Sequence, residues 1–209
     1  MAPPRTSQRA AQPGWTMMTA IHDALRRDLD QLIHTTASRP TARVRWGVFR
    51  GHLQYHLATE DALMWRPARA RLAGDPHGQA LLDAMQDEHQ LIGPLQALTD
   101  DAFAMNADSS RLALLLTRLQ TRLISHLAHE EADALPLISQ VMTPPEVRQI
   151  TRAVRGGTTA PRAAATIPWA LADATPDICH QVLSDLPAPA RILHRTAWLP
   201  RHTRNTPSL

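Results

Sequence analysis

The sequence predicts an all-α protein: an antiparallel four-helix bundle over residues 16–141, with an arm before it (1–15) and a C-terminal helical extension (142–209) packed on it. Three observations predict this. Leucine and alanine dominate, aromatic residues make up only 4%, and there are just 8 glycines, a composition that favours helix. Apolar residues recur at helical spacing in four long stretches. The breaks between those stretches are short and carry helix-stopping and helix-starting residues, as antiparallel neighbours require. A chain of 209 residues suffices for one sizeable core, or one core with an appendage.

The arm is polar and proline-rich, so it is expected to be disordered. A first helix is expected from about Thr16 to Thr36, with Met18, His22, Leu25, Leu29, Leu32 and Ile33 on one stripe. Ser38-Arg39-Pro40-Thr41 breaks it. The second helix reaches about Arg66 and aligns Phe49, His52, Leu53, His56, Glu60, Leu63 and Met64. Asp75-Pro76 pairs a capping side chain with a first-turn proline and so starts the third helix, whose inward face holds Leu82, Met85, His89 and Ile92. Gly93-Pro94 falls inside that pattern and should kink it. Asp108-Ser109-Ser110 starts the fourth helix, with Leu112, Leu116, Leu119, Leu123, His126 and Glu130 on its stripe, ending near Pro136.

Beyond the bundle, Thr143-Pro144-Pro145-Glu146 has capping-box spacing and predicts a short helix to about Gly156. Residues 157–177, rich in Ala, Thr and Pro, read as an extended connection. Thr175-Pro176 starts another short helix, and 188–199 is a candidate for the last.

Charge and cysteine usage narrow the class. All 22 basic residues are arginine, which accounts for a pI near 10.3 beside a net charge of only +3. The arginines are scattered, so nucleic-acid binding is not expected. The single cysteine, Cys179, excludes an intramolecular disulfide and any cysteine-rich metal site, and it is expected to be inert. With neither a secretory pattern nor an apolar run long enough to span a bilayer, no transmembrane segment is expected and the expected location is cytoplasmic.

The function-bearing feature is a phrase used twice. Residues 56–62 read His-Leu-Ala-Thr-Glu-Asp-Ala and residues 126–132 read His-Leu-Ala-His-Glu-Glu-Ala. Each copy puts a histidine and a glutamate one helical turn apart on one face, and each follows another histidine on an apolar stripe, first His22 and then His89. The chain has 11 histidines but only five glutamates, so chance gives roughly 0.3 such pairs. All six side chains (His22, His56, Glu60, His89, His126 and Glu130) fall where periodicity puts the core. A buried, unpaired carboxylate is costly, and imidazole and carboxylate converging from four helices resolve that cost by binding cations.

These residues resemble the hemerythrin-like, or HHE cation-binding, family. The likeness runs over roughly residues 16–141 and is carried by Ile21-His22-Asp23-Ala24-Leu25, by His56 and Glu60 before Asp61, by Asp87-Glu88-His89, and by His126 and Glu130 before Glu131. The resemblance implies a hemerythrin-like four-helix bundle holding two non-haem iron ions, oxo- or hydroxo-bridged. It implies that His22 and His56 hold one iron, that His89 and His126 hold the other, and that Glu60 and Glu130 bridge them. A manganese pair or a mixed pair suits the same donors. Ferritin-like di-iron bundles use Glu-x-x-His instead, and that motif does not occur here.

Two departures bear on function. Oxygen-carrying hemerythrins have a second histidine one turn after the third-helix ligand, where this chain has Gly93. They also have an aspartate five residues after the last histidine, where this chain has Glu131, with Glu130 at four. Two histidines per iron would leave coordination positions open, which favours reaction over reversible carriage. The expected function is therefore binding and activation of dioxygen or peroxide at a carboxylate-bridged site, with oxidation of a small molecule. If the protein is an enzyme, it is a di-iron oxidoreductase (an oxidase, an oxygenase or a peroxide consumer) that needs a small-molecule substrate and an electron donor. The alternatives are a module that binds or senses dioxygen or nitric oxide without turnover and, as a third class, iron storage, iron sensing or a purely structural bundle.

His52, Tyr55 and His129 are candidates to support the ligands from just outside the cluster. In the C-terminal segment Trp169, Ile192, Leu193, Trp198 and Leu199 lie among arginines. That pattern fits docking on the bundle, a basic amphipathic patch, or a roof over a substrate pocket.

Overall fold

The structure, a computed structural model, describes residues 15–147, 149–150 and 159–205. The described residues contain helices and no strand. The elements are α1 (Thr16–His34), α2 (Arg39–Glu60), α3 (Arg66–Arg71), α4 (Pro76–Ala104), α5 (Ser109–His129), α6 (Leu135–Val141), α7 (Ala160–Ala170), α8 (Pro176–Ser184), α9 (Ala188–Leu193) and α10 (Leu199–Asn205). Short links make α1, α2–α3, α4 and α5–α6 the four antiparallel rods of the bundle.

The starts follow the chemistry expected of them. Asp75 accepts a hydrogen bond from the His77 amide at 3.0 Å and Asp108 one from the Arg111 amide at 2.7 Å, so each satisfies an otherwise orphaned helical donor. The α3–α4 turn is so tight that a Cβ on Gly78 would stand 2.6 Å from Leu72 Cδ2. The α4–α5 turn closes through Asn106 at φ 51°, a left-handed conformation that asparagine tolerates. α4 passes through Pro94 without interruption.

The rods contain a feature the sequence reading did not anticipate. Two π-helical turns join α2 to α3 (Asp61–Trp65) and α5 to α6 (Glu130–Ala134), and a third joins α9 to α10 (His194–Trp198). Each begins six residues before a proline: Pro67, Pro136 and Pro200. A helical proline lacks the N–H for its carbonyl four residues back and its ring collides with that carbonyl. Those carbonyls belong to Leu63, Ala132 and Thr196, all inside the widened turns, so the π-turn absorbs the clash without ending the rod. Beyond each bundle π-turn the buried positions step by four: Glu60, Met64, Ala68 and Leu72, then Glu130, Ala134, Ile138 and Met142.

The apolar core lies in two parts. The larger includes Leu25, Leu29, Phe49, Leu53, Leu116, Leu119 and Leu123. The smaller includes Trp15, Met64, Trp65, Leu82, Met85, Leu135 and Ile138. Each fully buried side chain contributes about 1.5–3 kcal/mol. Between the two parts, on all four rods, lie His22, His56, Glu60, His89, His126 and Glu130, every one of them buried.

The arm, residues 1–14, lies outside the described residues, as do 148 and 151–158 of the helix expected over 143–156. Trp15, the last residue assigned to the arm, is buried and donates from Nε1 to Ser139 Oγ at 2.8 Å. The extended connection expected over 157–177 is instead helical as α7 over Ala160–Ala170. Pro161 sits in the first turn, where it is tolerated, and burial of Ile167, Trp169 and Ala170 stabilises the helix despite Pro168. α7 and α8 pack on α1. Cys179 is half-buried there, and burial pushes its thiol pKa up.

The extension is pinned to the bundle by Trp169. Its indole stacks face to face on His52 of α2, with ring centroids 3.9 Å apart, and its Nε1 donates to Asp28 of α1 at 2.6 Å. Burial lowers the His52 pKa to about 4; Asp28 opposes the shift, and Arg162, His202 and Arg27 add to it. An unfolded chain takes up this proton near pH 6.5 and the folded one only near 4, so folding is progressively penalised as pH falls between those values. Exchanging His52 for Phe keeps a ring for the stack and should flatten that part of the stability-versus-pH curve, measured by urea unfolding.

Candidate metal centre

The repeated phrase places its residues as helical geometry dictates. His56 and Glu60 come from successive turns of α2, and His126 and Glu130 from the end of α5. His22 comes from α1 and His89 from α4, both on the inward stripe. Their donor atoms form two groups, each within 4.8 Å: His22, His56, Glu60 and Glu130 in one, and Glu60, His89 and His126 in the other. Glu60 belongs to both, its Oε1 lying 3.0 Å from His56 Nδ1 and its Oε2 3.5 Å from His89 Nε2. Glu130 Oε2 stands 3.3 Å from His22 Nε2 and 3.9 Å from His126 Nε2. The histidines pair edge to face, His22 with His56 at 4.9 Å and His89 with His126 at 4.6 Å between ring centroids.

An outer set of carboxylates fixes the rings. The Nδ1–H of His22 donates to Glu131 Oε1 at 2.8 Å, that of His89 to Asp61 Oδ1 at 3.0 Å, and that of His126 to Glu88 Oε2 at 2.8 Å. Committing Nδ1 as donor turns the other nitrogen inward as a lone pair. His89 Nε2 and His126 Nε2 then face each other at 3.1 Å. Two lone pairs at that separation repel unless a proton or a cation lies with them. Both carboxylate oxygens of Glu60, both of Glu130, and the Nε2 atoms of His22 and His56 are likewise buried without a hydrogen-bond partner. Six buried atoms without partners in one cluster is the arrangement that cations satisfy, and the donor set suits a first-row transition metal.

The electrostatics show how protons fill the cluster in the absence of metal. Burial would lower the His22 pKa, but the charge and nearby oxygens of Glu130, the hydrogen bond to Glu131 and the proximity of Glu60 raise it well above the usual value. Burial likewise opposes ionisation of Glu60, yet His56, His22 and His89 hold it well below the usual carboxylate range. His89 is raised against the effect of burial by Glu60 and Asp61, whereas burial and the neighbouring His89 lower His126, with Glu60 and Glu130 opposing. Against its own burial, Glu131 is held down to about 2 by His22 and Arg26.

The supporting candidates separate. His129 Nδ1 donates to Glu88 Oε1 at 2.8 Å, so it shares with His126 the carboxylate that orients that ring. His52 belongs to neither group of converging donors; its partner is Trp169. Tyr55 carries the Arg162 guanidinium 4.3 Å above its ring. The paired acids divide, with Glu130 turned inward at 0% exposure and Glu131 turned to His22 and Arg26. Glu88 was not singled out by the sequence reading. A signal was present: four of the chain's five glutamates (60, 88, 130 and 131) stand in or around this cluster, and the fifth, Glu146, caps a helix start by accepting from the Thr143 amide.

Comparison with known families settles the affiliation. The model of the hemerythrin HHE cation binding domain matches residues 14–138, more than half of the chain. The chain belongs to that family. No curated protein and no solved structure matches it. This HHE domain thus carries a His/Glu cluster that could bind metal, and among the described residues no helix is long and apolar enough to cross a membrane.

Two outcomes test the cluster's wiring. Ligand nitrogens must be deprotonated to bind metal, and His22 holds its proton unusually tightly, so metal uptake at neutral pH should release protons and tighten as pH rises. Calorimetric titration in buffers of different ionisation enthalpy reads that release. Glu88→Gln, which weakens the acceptor for His126 and His129, should lower metal affinity about 10- to 100-fold, with the helical content unchanged.

Proposed function

We propose that this HHE domain holds two non-haem iron ions and uses them to bind and activate dioxygen or peroxide, oxidising a small molecule with electrons from a separate donor. His22 and His56 serve one ion, His89 and His126 the other, and Glu60 and Glu130 span the pair. The single observation that carries this reading is Glu60, fully buried, its two oxygens facing different histidine groups and neither hydrogen-bonded. When bound, such an iron pair supplies a redox-active Lewis-acidic centre for a small oxidant.

The chain's own residues define the rest. Glu131, Asp61 and Glu88 lock the imidazoles so that the cluster is pre-organised. Gly93, one turn beyond His89, brings no further donor, and a Cβ there would meet nothing within 4 Å. The cluster's slight exposure is confined to one edge: His56 and His89 side chains are 3% and 6% exposed, and the other four are at 0%. Between α2 and α4, the helices that carry His56 and His89, a surface cavity of about 280 Å³ is lined by Leu57, Gly93 and Gln96.

The same near-complete burial supports a second reading, a site that binds dioxygen or nitric oxide without turnover, since a sheath this closed favours diatomics. Manganese or a mixed pair fits the donors as well.

Elemental analysis on protein purified without added metal, with absorption spectra before and after reduction and air exposure, tests the proposal. About two irons per chain is the expected content. Glu60→Ala should lose both ions, and normal iron content in that variant would overturn the spanning role. Peroxide consumption by the reduced protein separates the reactive reading from the binding one.

A further inference from the structure

The outer shoulder of α4 carries apolar surface that the bundle itself does not use. α1 packs on α2 and α5, and α4 packs on α5 and α2, so α4 lies diagonally across from α1. The C-terminal extension packs on α1 through α7 and α8, on the other side of the bundle from that shoulder.

Three kinds of side chain stand there in columns. Leu91, Leu98 and Met105 recur every seventh residue of α4 and its C-cap, and they are 51%, 46% and 78% exposed. Heptad spacing on a straight helix keeps them on one stripe, drifting by only about 20° per repeat over a length of about 21 Å. On α5, Arg122, Arg118 and Arg111 stand 7, 11 and 18 residues before His129, and so share its side of the helix. Glu88 of α4 holds both His129 and His126, which fixes the side and the register of this antiparallel pair. In that register Arg122 lies level with Leu91, Arg118 with Leu98 and Arg111 with Met105. Asp87 and Asp101 form the opposite flank, on the side where Asp83 reaches Arg69 of α3.

The flanking charges are uncommitted. Arg111, Arg118, Arg122, Asp87 and Asp101 are all exposed, and none of these side chains has an ion pair or a hydrogen bond among the described residues. Their neighbours Asp83 and Asp100, by contrast, are held by Arg69 and Arg50. Arginine on one flank and aspartate on the other make the face complementary to itself in one orientation. Turned about a two-fold axis parallel to the helices, a second copy brings its aspartates to the first copy's arginines, and each apolar residue meets its own equivalent. Turned about an axis across the helices, arginine would face arginine and aspartate would face aspartate, which is repulsive. A flank of each sign also argues against a nucleic acid or an anionic lipid surface, which would select arginine alone.

We propose that this face is a homodimer interface in which α4 of one copy packs in parallel on α4 of the other. Leu91, Leu98 and Met105 meet across the dyad as a single heptad position does in a parallel coiled coil. Asp101 then stands level with the gap between the second copy's two nearer arginines, at 111 and 118, and Asp87 lies toward the third, at 122. The metal cluster stays inside each bundle.

Sedimentation velocity of the full chain as purified, from about 2 to 500 μM, tests the association. The expected result is a reversible monomer–dimer equilibrium with a dissociation constant below about 100 μM, weakened at least about threefold by raising salt from about 0.05 to 0.5 M. Leu98→Arg, at an exposed position, should weaken the dimer about tenfold or more with unchanged circular dichroism. Orientation is read by single cysteines in a Cys179→Ser background. Leu91→Cys and Met105→Cys should each give a disulfide-linked dimer on mild oxidation, because the parallel dyad brings each residue to its equivalent. Val44→Cys, exposed on α2, should not. A monomer at every concentration, a dimer indifferent to Leu98→Arg, or cross-linking at residue 44 instead of at 91 and 105 overturns the proposal. None of these outcomes bears on iron content, which elemental analysis reads separately.

Discussion

Four histidines and two glutamates form a polar layer through the middle of an otherwise apolar bundle, and the rest of the structure is arranged around satisfying it. Carboxylates at 0% exposure with no hydrogen-bond partner are among the most costly features a core can contain. In the absence of metal, protons shared between imidazoles and carboxylates offset part of that cost, which is why His22 is driven up and Glu60 down. Cations placed between the same atoms offset it more completely, because each contributes more charge and accepts several lone pairs at once. The layer divides the core into two apolar blocks, and each block clamps one side of it.

The π-turns relate this layer to the chain's covalent pattern. Both cluster glutamates stand at the entrance of such a turn, and both turns precede a proline by the same interval. With an extra residue accommodated there, the glutamate and the apolar side chains four residues later, Met64 and Ala134, share one inward line. One device therefore sets the register of the glutamate and seals the far side of the layer. Proline alone does not impose it, since α4 passes through Pro94 as ordinary helix. The third π-turn, before Pro200, carries Trp198 and packs on α7 within the extension.

Much of this was legible in the sequence because it depends on local periodicity. The four rods, their caps at Asp75 and Asp108, and the core positions of the six cluster residues all follow from helical spacing and turn chemistry. What escaped depends on contacts between elements. Glu88 is adjacent in sequence to a cluster histidine on α4 but serves His126 on α5, a pairing fixed only by how the rods face one another. His52 lies on the stripe that reaches Glu60, yet Trp169 from 117 residues later captures its ring. The helix at 160–170 was masked by its prolines and threonines, because its stability comes from burying Ile167 and Trp169 rather than from propensity.

If cations complete the polar layer, removing them should destabilise the bundle. Thermal unfolding of the same preparation under anaerobic conditions, with a chelator and then with excess ferrous iron, tests it most directly. A ligand that binds only the folded state raises stability by about 4 kcal/mol at a thousandfold excess over its dissociation constant, several degrees in Tm for a domain of this size. Such a rise is expected, saturating at two equivalents of iron per chain and absent in Glu60→Ala. An unchanged Tm with no metal retained would mean that protons alone satisfy the layer, and the metal-centre reading would be contradicted.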